Sequence, residues 1–401
     1  MIMTRLRVRL ILALASAQAF LVARLAVLLS GRPRAGRDVL VVRLDAIGDF
    51  LLWSDAAGRL ADHYRAGGRR VFLLGNALWA GLAETMGVFD GVIHLDRRRF
   101  LLDPRYRFAT QRWIRKAGFA IAIQPTFSRE LLMGDAIVRI AGREERIGSE
   151  GDLANIDRDD KRRSDQWYSR LIPASPGPMM ELLRNAEFLA GLGIACPPRI
   201  GRLPVAAEIR SAGRADGDGG APYFVLFPGA SREARCWSPV SFARLAERIS
   251  TATGWQAVIA GGGADRPAAA AIKAATDLPL TDRVGATDLL GLARLLAGAR
   301  VVISNETSAT HLSAVVGTPA VSIVGGGHFG RFLPYDVDDA DRPRAPIAVH
   351  HPMDCYGCNW QCRHPRGPGE AYACIRAVSV DQVWEALLPL LPGGQGGSAK
   401  Q

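Results

Sequence analysis

Lysine is scarce in this chain of 401 residues, although the chain is strongly basic. Only four of its fifty basic residues are lysine, so arginine carries nearly all of the formal net charge of +11 at pH 7. The chain also lacks zinc-finger spacing, RNP-like segments and a heptad repeat after a basic region, which disfavours a nucleic-acid partner. Arginine suits bidentate binding of phosphate and carboxylate. The charge therefore indicates an anionic membrane surface or a phosphorylated glycolipid as partner, unless it only reflects a solvated surface.

Cysteine is sparse as well, with six residues, of which Cys196 and Cys236 are isolated. This density excludes a disulfide scaffold, and nothing else in the sequence demands an oxidising compartment. The other four cysteines form one cluster, at Cys355, Cys358, Cys362 and Cys374. The spacing at the start of the cluster fits a structural metal, zinc in a reducing cytosol, with His364 close by. Reduced or paired cysteines in a surface loop are the alternative.

Residues 1–35 stand apart as a basic and apolar segment, whose apolar run is interrupted by Gln18 and Arg24. Three interpretations compete. The segment is a secretory signal peptide, a membrane-spanning helix, or an amphipathic helix lying on an anionic membrane surface. A charged Arg24 inside the membrane is costly, which counts against a span. We therefore favour the surface helix, which tolerates both arginine and interruption.

Short apolar runs alternate with helical and loop sequence along most of the chain. Strands are predicted at Val39–Val42, Val71–Leu74, Val92–Leu95, Phe119–Ile123, Tyr223–Phe227, Gln256–Ala260, Val301–Ile303 and Ala320–Val324. Helices are predicted at Phe50–Tyr64, Met179–Leu192, Val240–Ile249 and Leu289–Ala297, the last of them capped by Thr287. The polar and charged stretch Ser149–Arg163 is predicted to be a loop. This alternation is typical of parallel sheets with helices on both faces. The loop after the first strand lacks three spaced glycines and is not a dinucleotide fingerprint.

The length and a glycine-rich break after Cys196 predict two domains, each with its own core. The predicted parts, in chain order, are residues 1–35 (membrane-associating helix), 36–200 (first Rossmann-like domain), 201–221 (linker), 222–378 (second Rossmann-like domain, with the cysteine cluster at 355–374), 379–392 (C-terminal helix) and 393–401 (disordered tail).

The stretch Val301–Pro319 reads as a strand, a polar loop and a helix. In open α/β sheets, ligands bind beyond the carboxyl ends of the strands, and a helix N-terminus there attracts anions. The loop after the Tyr223–Phe227 strand carries Ser231, Arg232 and Arg235, which can bind phosphate oxygens. Glycine-rich loops follow other strands of this half and allow a ligand to approach the backbone. Together these loops predict a nucleotide or phosphate site, although local caps and turns are the alternative.

Five short motifs carry a family resemblance. They are Arg43–Asp49, Pro228–Ser231, Arg235–Trp237, Asn305–Leu312 and Gly317–Pro319. In order and spacing they resemble glycosyltransferase family 9, the ADP-heptose:lipopolysaccharide heptosyltransferases, from about residue 39 to residue 376. The resemblance implies a GT-B fold, in which two Rossmann-like domains with parallel sheets face a central cleft. It places the donor on the C-terminal domain and the acceptor on the N-terminal one.

The resemblance also implies inverting transfer without a divalent metal or other required cofactor. The aspartate of the family's Gly-Asp pair, its general base, matches Asp49. An inverting transfer needs such a carboxylate to take the proton of the attacking hydroxyl. The alternative is that Asp49 only caps the helix that follows it. The family's phosphate-binding hydroxyl and lysine match Ser231 and Arg235, so that arginine replaces lysine here.

Further donor residues follow from the same resemblance. The acidic residue that contacts the nucleoside ribose is matched by Asp265. The family's Asp-Thr-Gly becomes Glu306, Thr307 and Ser308 in this chain, and the histidine that follows is His311. Glu306 reaches one methylene further than the aspartate it replaces. A local helix-cap or first-turn role is the alternative for Thr307, Ser308 and His311.

The leading interpretation is a membrane-peripheral glycosyltransferase at the cytoplasmic face of the inner membrane, either peripheral or held by its N-terminus. Its partners would be a nucleotide-sugar donor, a lipid-linked saccharide acceptor and an anionic membrane surface, with no nucleic acid. The transferred group would be heptose or a related sugar, and the acceptor the lipopolysaccharide core. The alternatives are a GT-B transferase or epimerase that uses another sugar nucleotide, and a non-catalytic membrane-bound sugar-nucleotide binder.

Overall fold

The computed structural model describes residues 17–204 and 221–392, which divide into two compact units. The first unit consists of the described residues up to Phe50, Ala56–Pro176 and Arg184–Cys196, and the second of Leu51–Asp55, Gly177–Leu183 and the described residues from Pro197 onward. Most of the predicted linker and the whole predicted tail lie outside the described residues. The domain boundaries therefore stay a prediction.

The first unit contains a six-stranded sheet in the order β3-β2-β1-β4-β5-β6. Its strands are β1 (Val39–Arg43), β2 (Val71–Asn76), β3 (Gly91–Leu95), β4 (Ile121–Gln124), β5 (Glu145–Ser149) and β6 (Arg170–Ile172). Neighbouring strands run parallel, with Val39 beside Val71 on one side and Ile121 on the other. β1 is buried along its whole length. A strand covered on both faces is apolar almost throughout, as the VLVV sequence of β1 is.

Helices and a π-helical turn surround this sheet. They are α1 (Ile47–Ala66), α2 (Ala80–Thr85), α3 (Arg97–Leu102), α4 (Pro104–Ala117), the π-helix Leu131–Asp135, α5 (Ala136–Ala141), α6 (Arg158–Asp165) and most of α7 (Glu181–Gly191). One apolar core of this unit joins Leu40 and Val42 of β1 to Ile137 and Val138 of α5. Burial of these side chains holds the helices against the sheet.

The second unit repeats this architecture. Its strand order is β12-β11-β10-β7-β8-β9. The strands are β7 (Tyr223–Phe227), β8 (Gln256–Ile259), β9 (Leu280–Asp282), β10 (Val302–Asn305), β11 (Ala320–Ile323) and β12 (Ile347–Val349). All neighbouring pairs in it are parallel, and Val302 lies beside Val225 and Ala320. Counted from the first strand of each unit, both sheets have the doubly wound order 3-2-1-4-5-6.

In the described part of the second unit, four helices alternate with the strands, and two further helices follow the last strand. They are α8 (Pro239–Thr253), α9 (Arg266–Ala274), α10 (Leu289–Gly298), α11 (Ser308–Val316), α12 (Ala373–Arg376) and α13 (Val380–Leu387). Its core joins Phe224 and Ile303 of the sheet to Phe242 of α8 and Val383 of α13. α11 ends at Gly317, whose φ of +78° is the left-handed conformation that favours glycine at a helix C-terminus.

The predicted parallel sheets are confirmed, and each of the eight predicted strands is found with its ends within about two residues. Two local expectations were wrong. Part of the predicted loop after Ser149 is α6, because the side chain of Asp157 accepts the N–H groups of Asp159 and Asp160 and caps the helix. α10 is capped by Asp288 rather than by Thr287, because the Asp288 carboxylate accepts the N–H of Gly291.

The N-terminal segment is described only from residue 17, so residues 1–16 of the predicted membrane helix lie outside the described residues. Residues 17–28 are helical. Ala23 and Ala26 are buried, and Phe20 packs edge-on against Trp167 of the first unit, with ring centroids 5.9 Å apart. Across residues 17–204 and 221–392, no helix combines the length and the apolar character that a membrane crossing requires.

Candidate functional site

The strand order of each sheet marks one place as a candidate ligand site. In doubly wound sheets, ligands bind beyond the carboxyl ends of the two strands at which the order reverses. Those strands are β1 and β4 in the first unit, and β7 and β10 in the second. The stretch Val301–Pro319 supplies β10 and the helix after it. The motif loops after β1, β7 and β10 therefore lie where the fold is expected to bind ligands.

Asn305 fixes the loop after β7 to the end of β10. It is fully buried as the last residue of that strand. Its side-chain amide donates to the carbonyl of Pro228 at 2.6 Å, and its carbonyl oxygen accepts the backbone N–H of Trp237 at 2.9 Å. These two bonds reach opposite ends of the loop, so one buried side chain sets the shape of the segment that carries Ser231 and Arg235.

Arg235 is the centre of this arrangement. Its guanidinium donates to the hydroxyl of Ser231 at 2.9 Å and lies 3.6 Å from the carboxylate of Glu306. The same group stacks over the ring of Trp360, 4.3 Å from the ring centre. The side chain of Arg235 is 16% exposed, so it is shielded from water on most sides. Burial lowers the pKa of Arg235, and the negative charge of Glu306 opposes that effect.

Glu306 carries a buried carboxyl group. It is 7% exposed, and neither carboxylate oxygen finds a hydrogen-bond partner in the described part of the chain. The 3.6 Å separation from Arg235 is an ion pair but too long for a hydrogen bond. Desolvation raises the pKa of Glu306 to about 7, and Arg235 opposes this shift. Buried polar groups are nearly always hydrogen-bonded, so Glu306 marks a place where a ligand can complete the structure.

His311 lies in the first half of α11 and is buried. Its Nδ1 is 2.8 Å from the hydroxyl of Tyr335, and the two rings are parallel with centroids 5.9 Å apart. Burial lowers the pKa of His311 to about 4, so the imidazole is neutral at pH 7. A neutral imidazole offers a hydrogen bond but no positive charge to a phosphate. The donor-binding role of His311 stays a prediction.

The other predicted donor residues surround the same strand ends. Thr307 is the N-cap of α11, and its hydroxyl accepts the N–H of Ala309 at 3.3 Å, while Ser308 is the first helical residue. The local capping alternative therefore applies to Thr307. Ser231 and Arg232 are exposed. Their roles as ligand groups stay predictions.

Asp265 lies against the loop after β7. A Cβ atom placed on Gly229 would be 2.2 Å from the Oδ1 atom of Asp265, so that contact requires glycine. The Asp265 carboxylate accepts the N–H of Gly262 at 2.8 Å and makes no cap bond to α9. Burial raises the pKa of Asp265, and the bond from Gly262 opposes the rise. The carboxylate is thus close to the phosphate-loop candidate, as a ribose-binding group would need to be.

In the first unit, Asp49 is the third residue of α1, and this helix begins at Ile47 rather than at Phe50. One carboxylate oxygen of Asp49 accepts the backbone N–H of Ala46 at 3.3 Å, so the capping alternative describes one of its contacts. Arg43 holds the preceding loop, because its guanidinium lies 2.8 Å from Asp45 and donates to the carbonyl of Asp49 at 3.3 Å. Asp49 also lines a cavity of the first unit, and its role as a general base stays a prediction.

A cavity of about 670 Å³ lies at this end of the first sheet. Its polar lining comes from the carboxyl ends of β1 to β5 and the segments that follow them, and includes Asp45, Asp49, Asn76, Asp96, Arg97, Arg98, Glu130 and Asn155. Arg97 donates to both carboxylate oxygens of Glu130 at 2.9 Å, so that its charge is balanced within the cavity wall. Carboxylate and amide groups accept hydrogen bonds from hydroxyls. The cavity therefore suits a ligand rich in hydroxyl groups.

The four clustered cysteines line one small pocket together with Trp360 and His364. At its edge, two lining residues, Cys355 and His364, and the exposed Asp354 have ligand atoms within 4.8 Å of one another. Thiolate, imidazole and carboxylate are the ligand types that zinc prefers. The cysteines are free thiols. The structure thus adds Asp354 and His364 to the four cysteines as candidate metal ligands.

Sequence reasoning missed Trp360 and Tyr335, which contact Arg235 and His311. Both contacts join residues far apart in sequence, and no local pattern signals them. Sequence reasoning also missed a packing role of the glycine-rich loop after β11. A Cβ atom on Gly327 would be 2.3 Å from the ring of Trp360, and one on Gly326 would be 2.2 Å from Tyr356. These glycines make room for aromatic side chains of the cysteine segment.

Sequence comparison finds relatives in one family. The sequence model described as glycosyltransferase family 9 (heptosyltransferase) matches residues 107–340. Lipopolysaccharide heptosyltransferase 1 of Pseudomonas aeruginosa is 28% identical over 176 residues, which cover 43% of this chain. The aligned region spans about half of that relative, 48% of its length.

Solved structures are similar over most of this chain. The Escherichia coli heptosyltransferase WaaC with ADP-2-deoxy-2-fluoro heptose superposes with a TM-score of 0.61 and 18% identity, covering 87% of this chain and 99% of that one. The iron-containing dodecameric glycosyltransferase TibC of enterotoxigenic Escherichia coli gives a TM-score of 0.53 and 16% identity, covering 90% and 77%. At these identities the likeness shows the fold, which is the GT-B fold.

Proposed function

The chain belongs to glycosyltransferase family 9, and from this membership we propose that it transfers heptose or a related sugar to a lipopolysaccharide core or another lipid-linked saccharide. The proposed donor is a nucleotide sugar, with ADP-heptose first among the candidates, because a relative of the same fold is described with an ADP-heptose analogue. The observation that carries the proposal is the partly buried Arg235 beside the unsatisfied carboxyl group of Glu306, at the strand ends where doubly wound sheets bind ligands.

In this proposal the second unit binds the donor. Arg235 and the hydroxyl of Ser231 bind the diphosphate, and Asp265 accepts hydrogen bonds from the ribose hydroxyls. Glu306 accepts hydrogen bonds from the sugar hydroxyls or, when protonated, donates one to a phosphate oxygen. The N-terminus of α11, beginning at Ser308, adds a partial positive charge.

In the first unit, Asp49 is the proposed general base. It takes the proton of the acceptor hydroxyl as that oxygen forms a bond to the anomeric carbon of the donor sugar. The bond from the anomeric carbon to the diphosphate oxygen breaks on the opposite face, which inverts the configuration. The electron pair stays on the nucleoside diphosphate, and Arg235 stabilises the charge that develops there.

A donor screen tests this function. Purified protein is incubated with a lipid A–core acceptor and, in turn, ADP-heptose, ADP-glucose and UDP-N-acetylglucosamine, and products are identified by mass spectrometry. We expect a heptosylated acceptor and ADP from the first donor. Conversion of a donor without glycosylated acceptor would instead support an epimerase. Nucleotide binding without any product would support a non-catalytic binder.

The affinity for ADP should depend on pH through Glu306. Because the pKa of Glu306 is raised to about 7, the group is neutral below that pH and negative above it. A negative charge beside the diphosphate weakens its binding and partly neutralises Arg235. We therefore expect ADP affinity to fall by about tenfold relative to a Glu306→Gln variant between pH 5.5 and pH 8.5, equivalent to a pKa shift of about one unit on binding.

Calorimetric titration of both proteins with ADP measures this ratio, and the ionisation of ADP itself cancels because it is common to the two. Asp265→Asn is a useful comparison, since it alters a second, partly buried carboxylate of the proposed donor site, whose pKa rise is opposed by a backbone bond. A wild-type to Glu306→Gln ratio that is constant across this pH range would mean that Glu306 does not titrate beside the nucleotide.

The cysteine segment is proposed to bind a structural metal, zinc or iron. The four cysteines and His364 line one pocket, and Asp354 and Cys355 bring ligand atoms of the right chemical types close together. Iron is a candidate because TibC, which shares the fold, is described as iron-containing. Such a metal would cross-link the cysteine segment and would take no part in the transfer reaction.

Elemental analysis of protein purified without oxygen tests the metal. About one equivalent of zinc or iron per chain is expected, with release when Cys355 and Cys358 are both replaced by serine. Cys196→Ser is the matched control, because Cys196 is another partly buried cysteine that does not line this pocket. Wild-type protein without stoichiometric zinc or iron would contradict the proposal.

The N-terminal helix is proposed to bind an anionic membrane surface. In residues 17–28 the buried face carries alanines, whereas Leu21, Leu25 and Leu28 are exposed on the other side together with Arg24. Apolar side chains that enter the lipid interface beside arginine are the pattern of an interfacial helix. This attachment would bring the enzyme to a lipid-linked acceptor.

A vesicle flotation assay compares membranes of phosphatidylglycerol and phosphatidylethanolamine with membranes of phosphatidylcholine. Wild-type protein should bind the anionic vesicles, and Leu28→Glu should weaken that binding by about tenfold or more, because a buried leucine is worth roughly 1.5–3 kcal/mol. Leu153→Glu is the control, since Leu153 is another exposed leucine of the first unit. Equal binding of Leu28→Glu and wild-type protein would remove this helix from the membrane contact.

A further inference from the structure

Trp360 of the cysteine segment supports Arg235. The guanidinium carbon of Arg235 lies 4.3 Å from the centre of the Trp360 ring. Ser231 and Glu306 contact the same guanidinium, and its Nε atom has no hydrogen-bond partner in the described residues. The indole ring is therefore a third contact that holds the guanidinium of Arg235.

The backbone of the cysteine segment holds this ring in place. The N–H of Gly357 donates to the carbonyl of Gly326 at 2.8 Å, and the N–H of Asn359 donates to the carbonyl of Gly327 at 3.0 Å. Trp360 itself has a φ of +62°, a left-handed conformation that is unusual for a bulky residue. Its indole N–H donates to Nδ1 of His328 at 3.2 Å. A strained residue with this many constraints is often part of a functional site.

We propose that Trp360 is a positioning residue that presents Arg235 to the donor diphosphate, an inference that rests on the proposed donor site. An aromatic ring attracts a guanidinium through the ring face and uses none of its N–H groups. The donors on the edge of the Arg235 guanidinium therefore stay available for bidentate contact with phosphate oxygens. The cysteine segment is, through this residue, a part of the donor site although none of its cysteines need touch the ligand.

Donor binding tests the inference through a graded pair of variants. We expect the Kd for ADP to rise roughly 3- to 30-fold in Trp360→Leu, the range of a desolvated cation–π contact, and by less in Trp360→Phe, which keeps a ring. The KM for the sugar nucleotide should rise with it while kcat changes less. If thermal denaturation shows that Trp360→Leu is unfolded, the comparison of wild type with Trp360→Phe decides. Equal ADP affinity of Trp360→Phe and wild-type protein would then overturn the proposal.

A double-mutant cycle separates positioning from a general packing effect. In an Arg235→Ala background, Trp360→Leu should have little further effect on the Kd for ADP, because the residue through which it acts is absent. An equal loss in both backgrounds would overturn the positioning role. Trp384→Leu is the matched control, since Arg248 stacks over Trp384 at the same 4.3 Å distance elsewhere in the unit. If wild-type protein binds no nucleotide, the proposed function fails instead, independently of Trp360.

Discussion

Replacing Asp49 by asparagine is expected to lower the rate of sugar transfer by about 10²- to 10⁴-fold, the usual contribution of a general base. Asparagine has nearly the same shape and still accepts the N–H of Ala46, so α1 should keep its N-terminal contact. It cannot take a proton from the acceptor hydroxyl. Donor affinity should be almost unchanged, because the proposed nucleotide ligands belong to the second unit. Initial rates and ADP calorimetry on the same preparation measure the two quantities.

The control for this variant is Asp103→Asn. Asp103 is another capping aspartate of the first unit, and its carboxylate accepts the N–H groups of Arg105 and Tyr106 at the start of α4. It does not line the cavity that contains Asp49. Both variants should have similar melting temperatures, and only Asp49→Asn should lose transfer. Turnover of Asp49→Asn at the wild-type rate would assign the base to another group.

Replacing Arg235 by alanine is expected to raise the KM for the donor and the Kd for ADP by about 10- to 100-fold. The estimate follows from a charge-assisted hydrogen bond, worth roughly 1.5–3 kcal/mol. The turnover number should also fall, because the leaving diphosphate loses a cation that stabilises its developing charge. Glu306 would then be protonated at neutral pH, since the partner that holds down its pKa is gone. The variant therefore does not leave a bare charge in the core.

Two further proteins make this experiment decisive. Arg235→Lys keeps the charge and should recover part of the lost affinity, though not the bidentate geometry that guanidinium provides. Arg248→Ala removes an arginine of the same unit that also stacks on a tryptophan and pairs with an aspartate. It should bind ADP like the wild type. Unchanged ADP affinity in Arg235→Ala would take this residue out of the donor site.

The sequence predicts the centre of each sheet better than its edges. Strands such as β1 and β7 are continuous apolar runs, because both of their faces are covered, and that pattern is visible without a structure. The edge strands β6 and β9 have three residues each and carry charged side chains. These strands form because a neighbouring strand offers unpaired backbone N–H and C=O groups. No pattern in the sequence of the edge strand itself indicates that pairing. α6 was missed because its residues are almost all polar, so that no apolar pattern indicates a helix.

The candidate site likewise has contacts that the sequence predicts and contacts that it does not. Ser231, Arg235 and Glu306 lie in loops that directly follow predicted strands, and the parallel sheet brings them together, so their proximity was predictable. Trp360 reaches Arg235 from a segment more than a hundred residues later, and Tyr335 reaches His311 from outside any motif. The burial that shifts the pKa of Glu306 and His311 also depends on these distant neighbours. Such properties come from tertiary packing and have no local signature.

The shared strand order has a consequence for how the chain folds during synthesis. In each unit the first strand made, β1 or β7, occupies an inner position of the finished sheet. The next two strands add to one of its edges, and the other edge waits until β4 or β10 emerges from the ribosome. An apolar strand with an open edge can pair with another chain. The nascent protein should therefore depend most on chaperones in two intervals, each ending when the fourth strand of a unit pairs with its first.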